Sequence, residues 1–115
     1  MRRLHQVSQG HGKVALTFLT RVEAVEAGRV NCIEVEGQSV VVCKVKDEFF
    51  AVVNMCSHAE QTFEKGRIRG HRLLCPLHGA IFDIRDGSVM SAPAFQPIKS
   101  YPLEVRGEEI FIDLD

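Results

Sequence analysis

The sequence predicts an all-β domain, a sandwich or barrel of antiparallel strands, on three observations. Short runs rich in Val, Ile and Phe recur from residue 14 onward. Glycine or proline falls between most of them. Nothing has a helical period longer than one turn, at 23–27. Strands this short and frequent are the signature of stacked or closed antiparallel sheets. A chain of 115 residues suits one domain with one modest core.

Residues 1–13 are polar, with two glycines and no periodicity, and are expected to form a flexible arm ahead of a single domain at 14–115. The expected strands are 15–21, 30–35, 40–45, 49–54, 72–75, 80–84, 101–105 and 110–114. One hairpin can be read closely. Gly37-Gln38 would make a two-residue loop with glycine first, as a type II′ turn wants. Ile33 and Val35 would then face Val42 and Val40, and Cys32 would stand opposite Cys43. A hydrogen-bonded pair in a reducing compartment is a poor place for a disulfide, so both are expected as free thiols. Asp86-Gly87 and Arg106-Gly107 read as turns. Most of Phe18, Phe49, Phe50, Phe63, Phe82 and Phe111 alternate with polar neighbours and read as core.

Composition excludes several classes. The formal net charge is -1 and no basic stripe runs along the chain, so there is no footprint for nucleic acid. The densest apolar run, 40–45, is far too short to span a bilayer. The opening Met1-Arg2-Arg3 is followed by no apolar stretch, so export is not expected and a cytoplasmic protein is. There, four cysteines point to metal binding before disulfides. No Gly-rich phosphate loop is present, so NADH or FAD is not expected to bind.

The chemistry concentrates in "CSHAEQTFEKGRIRGHRLLCPLH", residues 56–78. Cys56-x-His58 and Cys75-x-x-His78 stand sixteen residues apart. Thiolate and neutral imidazole are strong side-chain ligands for borderline and soft metals. Each pair is tight enough to reach one site from one loop, and turn formers lie beside them at Asn54, Pro76 and Gly79. Glu64-Lys65-Gly66 breaks the intervening segment and allows a returning hairpin. Two readings compete. A tetrahedral zinc with two cysteines and two histidines is one, but zinc fingers of that composition usually group like with like. A [2Fe–2S] cluster with two cysteines on one iron and two histidines on the other is the second. It accounts for the split, since each loop would supply one ligand to each iron.

"CSH…CPLHG" followed by "FDIRDG" resembles the cluster-binding signature of Rieske proteins. The resemblance covers roughly residues 14–115, including the proline-bearing 92–97, and within that superfamily is strongest to the small ferredoxins that serve bacterial aromatic-ring oxygenases. It implies stacked antiparallel sheets with an inserted cluster-binding part at about 54–84, and one Rieske [2Fe–2S] cluster per chain. Cys56 and Cys75 would ligate one iron, His58 and His78 the other. It further implies a one-electron carrier, not an enzyme, running between an NAD(P)H-dependent flavin reductase and a terminal aromatic-ring dioxygenase, with no membrane or nucleic-acid partner and a monomeric state. A nitrite reductase subunit, a ferredoxin of a di-iron monooxygenase, and a zinc-stabilised module without redox function are the alternatives.

Departures from the respiratory members of the superfamily are informative. Their further loop cysteines are replaced here by Gln61 and Leu77, so no bridge joins the loops. Their hydrogen-bonding serine and tyrosine are replaced by Ala80 and Phe82, which cannot donate. A potential at the low end of the Rieske range is therefore expected. No residues remain for a second, mononuclear iron site. His5 and His11 fall in the arm, and His71 reads as a turn residue. Met55, Pro76, Leu77 and Phe95 are expected to form an apolar collar, with Glu60, Glu64 and Asp83 as candidate docking charges.

Overall fold

The computed structural model describes residues 15–57, 60–77, 79–92, 94 and 96–115. The expected arm at 1–13 lies outside them, as do His58, His78 and Phe95. Among the described residues, eleven strands form three antiparallel sheets. The outer sheet has the order β1 (Leu16–Arg21), β11 (Glu109–Asp113), β10 (Leu103–Arg106). The central sheet runs β2 (Asn31–Val35), β3 (Gln38–Val45), β4 (Glu48–Val53), β9 (Ser100–Tyr101). The loop-bearing sheet runs β5 (Arg67–Arg69), β6 (Arg72–Leu74), β7 (Ile81–Asp83), β8 (Val89–Ser91). The only helical element among the described residues is a 3-10 turn at Val22–Ala24, one residue ahead of the expected turn at 23–27. No helix among them is long and apolar enough to cross a membrane.

The run Val40-Val41-Val42-Cys43 is apolar without alternation because the central sheet is covered on both faces. Val40 and Val42 point into the core shared with Leu103, Ile110 and Ile112 of the outer sheet. Val41 and Cys43 point the other way, into a core with Phe63, Leu73 and Phe82. All four are fully buried. Strand β4 repeats the division, Phe49 and Ala51 to one side, Phe50 and Val52 to the other. Each side chain of this size withdrawn from water contributes about 1.5–3 kcal/mol before entropy is counted.

The hairpin β2–β3 differs from expectation. Cys32 pairs with Val41 and Ile33 with Val40, so the two-residue turn is Glu36-Gly37, not Gly37-Gln38. Both turn residues have positive φ, 48° and 77°, the type I′ requirement that matches strand twist. The slip of two residues leaves every side chain on its expected face, but it removes the Cys32–Cys43 opposition. Both cysteines are free. Burial pushes the Cys43 thiol up to about 12, with nearby Cys32 adding to the rise. The next hairpin turns through Lys46-Asp47, both also at positive φ without a glycine.

Strands β5 and β8 were not expected. Arg-Ile-Arg and Val-Met-Ser are three residues each and read as polar or irregular. The expected strand 101–105 is split by Pro102 into β9 and β10, which join different sheets, because proline offers no N–H to a ladder. Strands β4 and β9 pair directly, Ala51 with Tyr101 and Val52 with Ser100. The loop-bearing sheet is therefore an insertion between two neighbours of the central sheet, and it extends through Ser91.

Candidate metal centre

Two loops at one end of the inserted sheet are closed in the same way. The Cys56 N–H donates to the Gln61 carbonyl at 2.8 Å, and the Cys75 N–H to the Ala80 carbonyl, also at 2.8 Å. Each hydrogen bond spans five residues and sets a cysteine at the mouth of its loop. His58 falls within the first span and His78 within the second, both outside the described residues. The second loop is the β6–β7 connection, following the last ladder pair, Leu74 with Ile81. Gly79 in it has φ 74°.

The first loop has no ladder to hold it and is pinned by Asn54. This buried side chain accepts the Phe63 N–H at Oδ1 (2.7 Å) and donates through Nδ2 to the Ser39 hydroxyl (3.0 Å). Its own N–H donates to the Ser39 carbonyl. The start of the loop and its return are thus tied to each other and to the central sheet. In the sequence Asn54 stands out only as a turn former. Asn54→Ala strands the Phe63 N–H beside a fully buried ring, and a buried donor left without a partner costs about 1–3 kcal/mol. Urea titration is expected to show a loss of that size, where a surface asparagine would give almost none.

Gly66 brings the two loops together. A Cβ there would lie 2.3 Å from the Leu74 carbonyl oxygen and 3.1 Å from that of Phe63. The return of the first loop therefore lies directly against β6, the strand that leads into Cys75. Ser57 hydroxyl donates to the Gln96 carbonyl and ties the first loop to the proline-bearing segment.

Cys56 and Cys75 meet in this arrangement. They are 2% and 3% exposed, and the Cys75 thiol shares a hydrogen bond with the Cys56 sulfur. Burial pushes the Cys75 thiol up; the Leu77 backbone N–H, which hydrogen-bonds its sulfur, pulls it back; the facing Cys56 raises it again. Two thiolates this close and this buried repel one another unless a cation stands with them. The donor set therefore fits a metal group that accepts two sulfurs from one side. Behind the sulfurs lie Ala80 and Phe82, both fully buried, with Phe82 edge-on to Phe63 at 5.8 Å. Neither offers a donor.

Exposed apolar side chains lie on and beside the loops. Met55 is 42% and Leu77 37% exposed, and Pro76 is exposed beside them. Of the residues expected to form a collar, these three are exposed; the fourth, Phe95, lies outside the described residues. Asp83 is not available as a docking charge. Arg85 holds it through Nε (3.0 Å) and Nη2 (2.8 Å), and that hydrogen bonding keeps its carboxyl below the usual carboxylate range. His71 stands edge-on to Phe50 at 5.6 Å, at the hairpin end away from the loops.

The pattern of the Rieske [2Fe-2S] domain matches residues 15–102. The chain belongs to the Rieske family. Its cofactor is accordingly a Rieske-type [2Fe–2S] cluster. Among its relatives, the ferredoxin component of the naphthalene 1,2-dioxygenase system of Pseudomonas aeruginosa is 34% identical over 90 residues, 78% of this chain and 86% of that protein. The ferredoxin of carbazole 1,9a-dioxygenase from Nocardioides aromaticivorans IC177 superposes with a TM-score of 0.83 at 28% identity, covering 88% of this Rieske chain and 99% of that one. A chain in the complex of reduced oxygenase and oxidized ferredoxin in carbazole 1,9a-dioxygenase has the same fold, with a TM-score of 0.79 at 22% identity over 88% of this chain and 94% of that one.

Proposed function

We propose that this chain is the electron-carrying ferredoxin of an aromatic-ring dioxygenase system, and that Cys56, His58, Cys75 and His78 hold its cluster. The observation that carries the assignment is the pairing of two identically closed loops with Cys56 against Cys75. In this reading the cluster-binding part begins near residue 54 and includes both loops, and the remaining sheets are the base that holds them. When bound, the cluster supplies one reversible electron.

The chain's own residues do the rest. Buried Cys56 and Cys75 offer two thiolates on the protein side. Phe63, Phe82 and Ala80 keep water away from the sulfurs. The exposed collar of Met55, Pro76 and Leu77 offers a small apolar contact, the area range in which redox encounters form and separate quickly. The donor in this reading is a flavin-dependent reductase and the acceptor a terminal oxygenase. The carrier is monomeric and cytoplasmic. It is not itself an enzyme.

Hydrogen bonds to cluster or ligand sulfur favour the reduced state. Ala80 and Phe82 supply none, so the midpoint is expected at the low end of the span of about −150 to +300 mV. Ala80→Ser adds one donor; at about 1 kcal/mol per hydrogen bond it is expected to raise the midpoint by roughly 40 mV. Spectroelectrochemical titration of both proteins checks this, and a wild-type midpoint well above zero would contradict it. The functional test is reconstitution. With NADH, a flavin reductase and a ring-hydroxylating oxygenase, product formation is expected to require this protein. Turnover equally fast without it would overturn the assignment.

A further inference from the structure

The outer face of the inserted sheet carries charge that the fold does not use. Strand alternation points Ile68, Leu73 and Phe82 into the core and leaves Arg67, Arg69, Arg72, Leu74 and Ile81 on the other face. In register, Arg67 lies beside Leu74 and Leu74 beside Ile81; Arg69 lies directly opposite Arg72. Like charges directly opposite on one face are destabilising. The carboxylate that could relieve them, Asp83 opposite Arg72, is held by Arg85. Among the described residues no carboxylate pairs with Arg67, Arg69 or Arg72, and all three are exposed. A shallow groove of about 380 Å³ crosses this face between Arg69, Arg72 and the exposed Met90.

The chain as a whole is slightly acidic, so three arginines without an ion pair on one sheet make a local field, with Glu64 as the carboxylate that lines a cavity beside Arg67 and Arg69. The row Arg67–Leu74–Ile81 also borders the second loop, since Leu74 precedes Cys75 and Ile81 follows Ala80. The basic face is therefore continuous with the apolar collar.

We propose that this face docks an acidic surface of the protein that exchanges an electron with the cluster, with Arg67, Arg69 and Arg72 steering it and Leu74, Ile81 and Met90 giving apolar contact. The proposal rests on the electron-carrier reading above. Charge complementarity selects the occupant: arginine forks suit carboxylates, and the half-buried Leu74 and Ile81 with the exposed Met90 suit a protein surface. A partner held this way would reach the loops from the β6–β7 side.

The test uses the holo-protein and two redox proteins of opposite charge, flavodoxin as the acidic probe and cytochrome c as the basic one. Stopped-flow reduction of the holo-protein by flavodoxin hydroquinone is expected to be fast at about 0.01 M salt and to slow as salt rises to about 0.15 M. Arg67→Glu/Arg72→Glu is expected to slow it roughly tenfold or more at low salt, with the neutral Arg67→Gln/Arg72→Gln in between. Oxidation of the reduced protein by cytochrome c should not slow. Unchanged flavodoxin kinetics in the charge-reversed protein, or an equal fall with both probes, overturns the proposal. So does a wild-type protein that dithionite reduces but flavodoxin does not. If dithionite itself fails, the electron-carrier reading falls and takes this one with it. If reversal instead abolishes sedimentation with phosphatidylglycerol vesicles or retardation of duplex DNA while flavodoxin rates stand, the face serves another polyanion and the proposal is wrong.

Discussion

Cys75→Ser is expected to purify colourless, with iron and acid-labile sulfide near zero. Serine keeps the size of the side chain and its place at the mouth of the β6–β7 loop, so the Cys75 N–H to Ala80 hydrogen bond is retained. What it loses is a soft, ionisable ligand. A serine hydroxyl is far harder to deprotonate than a thiol, and here the site is 3% exposed. His78→Ala removes a nitrogen ligand of the proposed set and is expected to lose the cluster, or to retain one with an altered visible spectrum. Both variants should still fold, because Phe63, Leu73, Phe82 and Ile84 are fully buried among protein side chains and neither substitution touches that core. Both should melt lower than the holo-protein, since a bound metal group adds its binding free energy to the native state alone. An unchanged visible spectrum in either would show that the ligand set is wrong.

Gly87→Ala is expected to be the most damaging single-methyl change in the described residues, at about 3–5 kcal/mol. Gly87 has φ 79°, where an L side chain is strained, and an added Cβ would lie 1.9 Å from the Ile98 carbonyl oxygen. That neighbour is backbone and cannot swing aside. The same glycine accepts the Ile98 N–H at 2.9 Å and donates to the Asp83 carbonyl. It therefore joins the β7–β8 turn to the segment that returns to β9, and its loss would loosen the insertion where it re-enters the central sheet. In a domain of this size each kcal/mol shifts Tm by roughly 4 °C, so a fall of roughly 12–20 °C is expected. A shift under about 4 °C would mean that Ile98 moves freely.

The comparison of sequence and structure turns on what each kind of signal encodes. Strands β1, β3, β4, β7 and β11 were legible because apolar runs bounded by turn residues report burial directly. The β2–β3 register was not, because Glu36 enters the left-handed region without any residue preference to announce it. Lys46 does the same, in a turn that has no glycine. Strand β5 was missed since two of its three residues are arginines on an exposed face. The two Cys-His pairs stand out in the sequence because each is local, and the ligand set they suggest is the proposal made above. The contact that makes it a site, Cys56 against Cys75, is long-range. It depends on Asn54 pinning one loop and on Gly66 lacking a side chain, which the sequence shows only as a turn former and a breaker.

The most direct test of the central claim is pulsed EPR on the dithionite-reduced protein, grown with natural-abundance and with 15N-labelled histidine. The account predicts a [2Fe–2S] signal coupled to two histidine nitrogens, both of which change on labelling. A reduced cluster with no nitrogen coupling, or an EPR-silent protein that holds zinc, would contradict it.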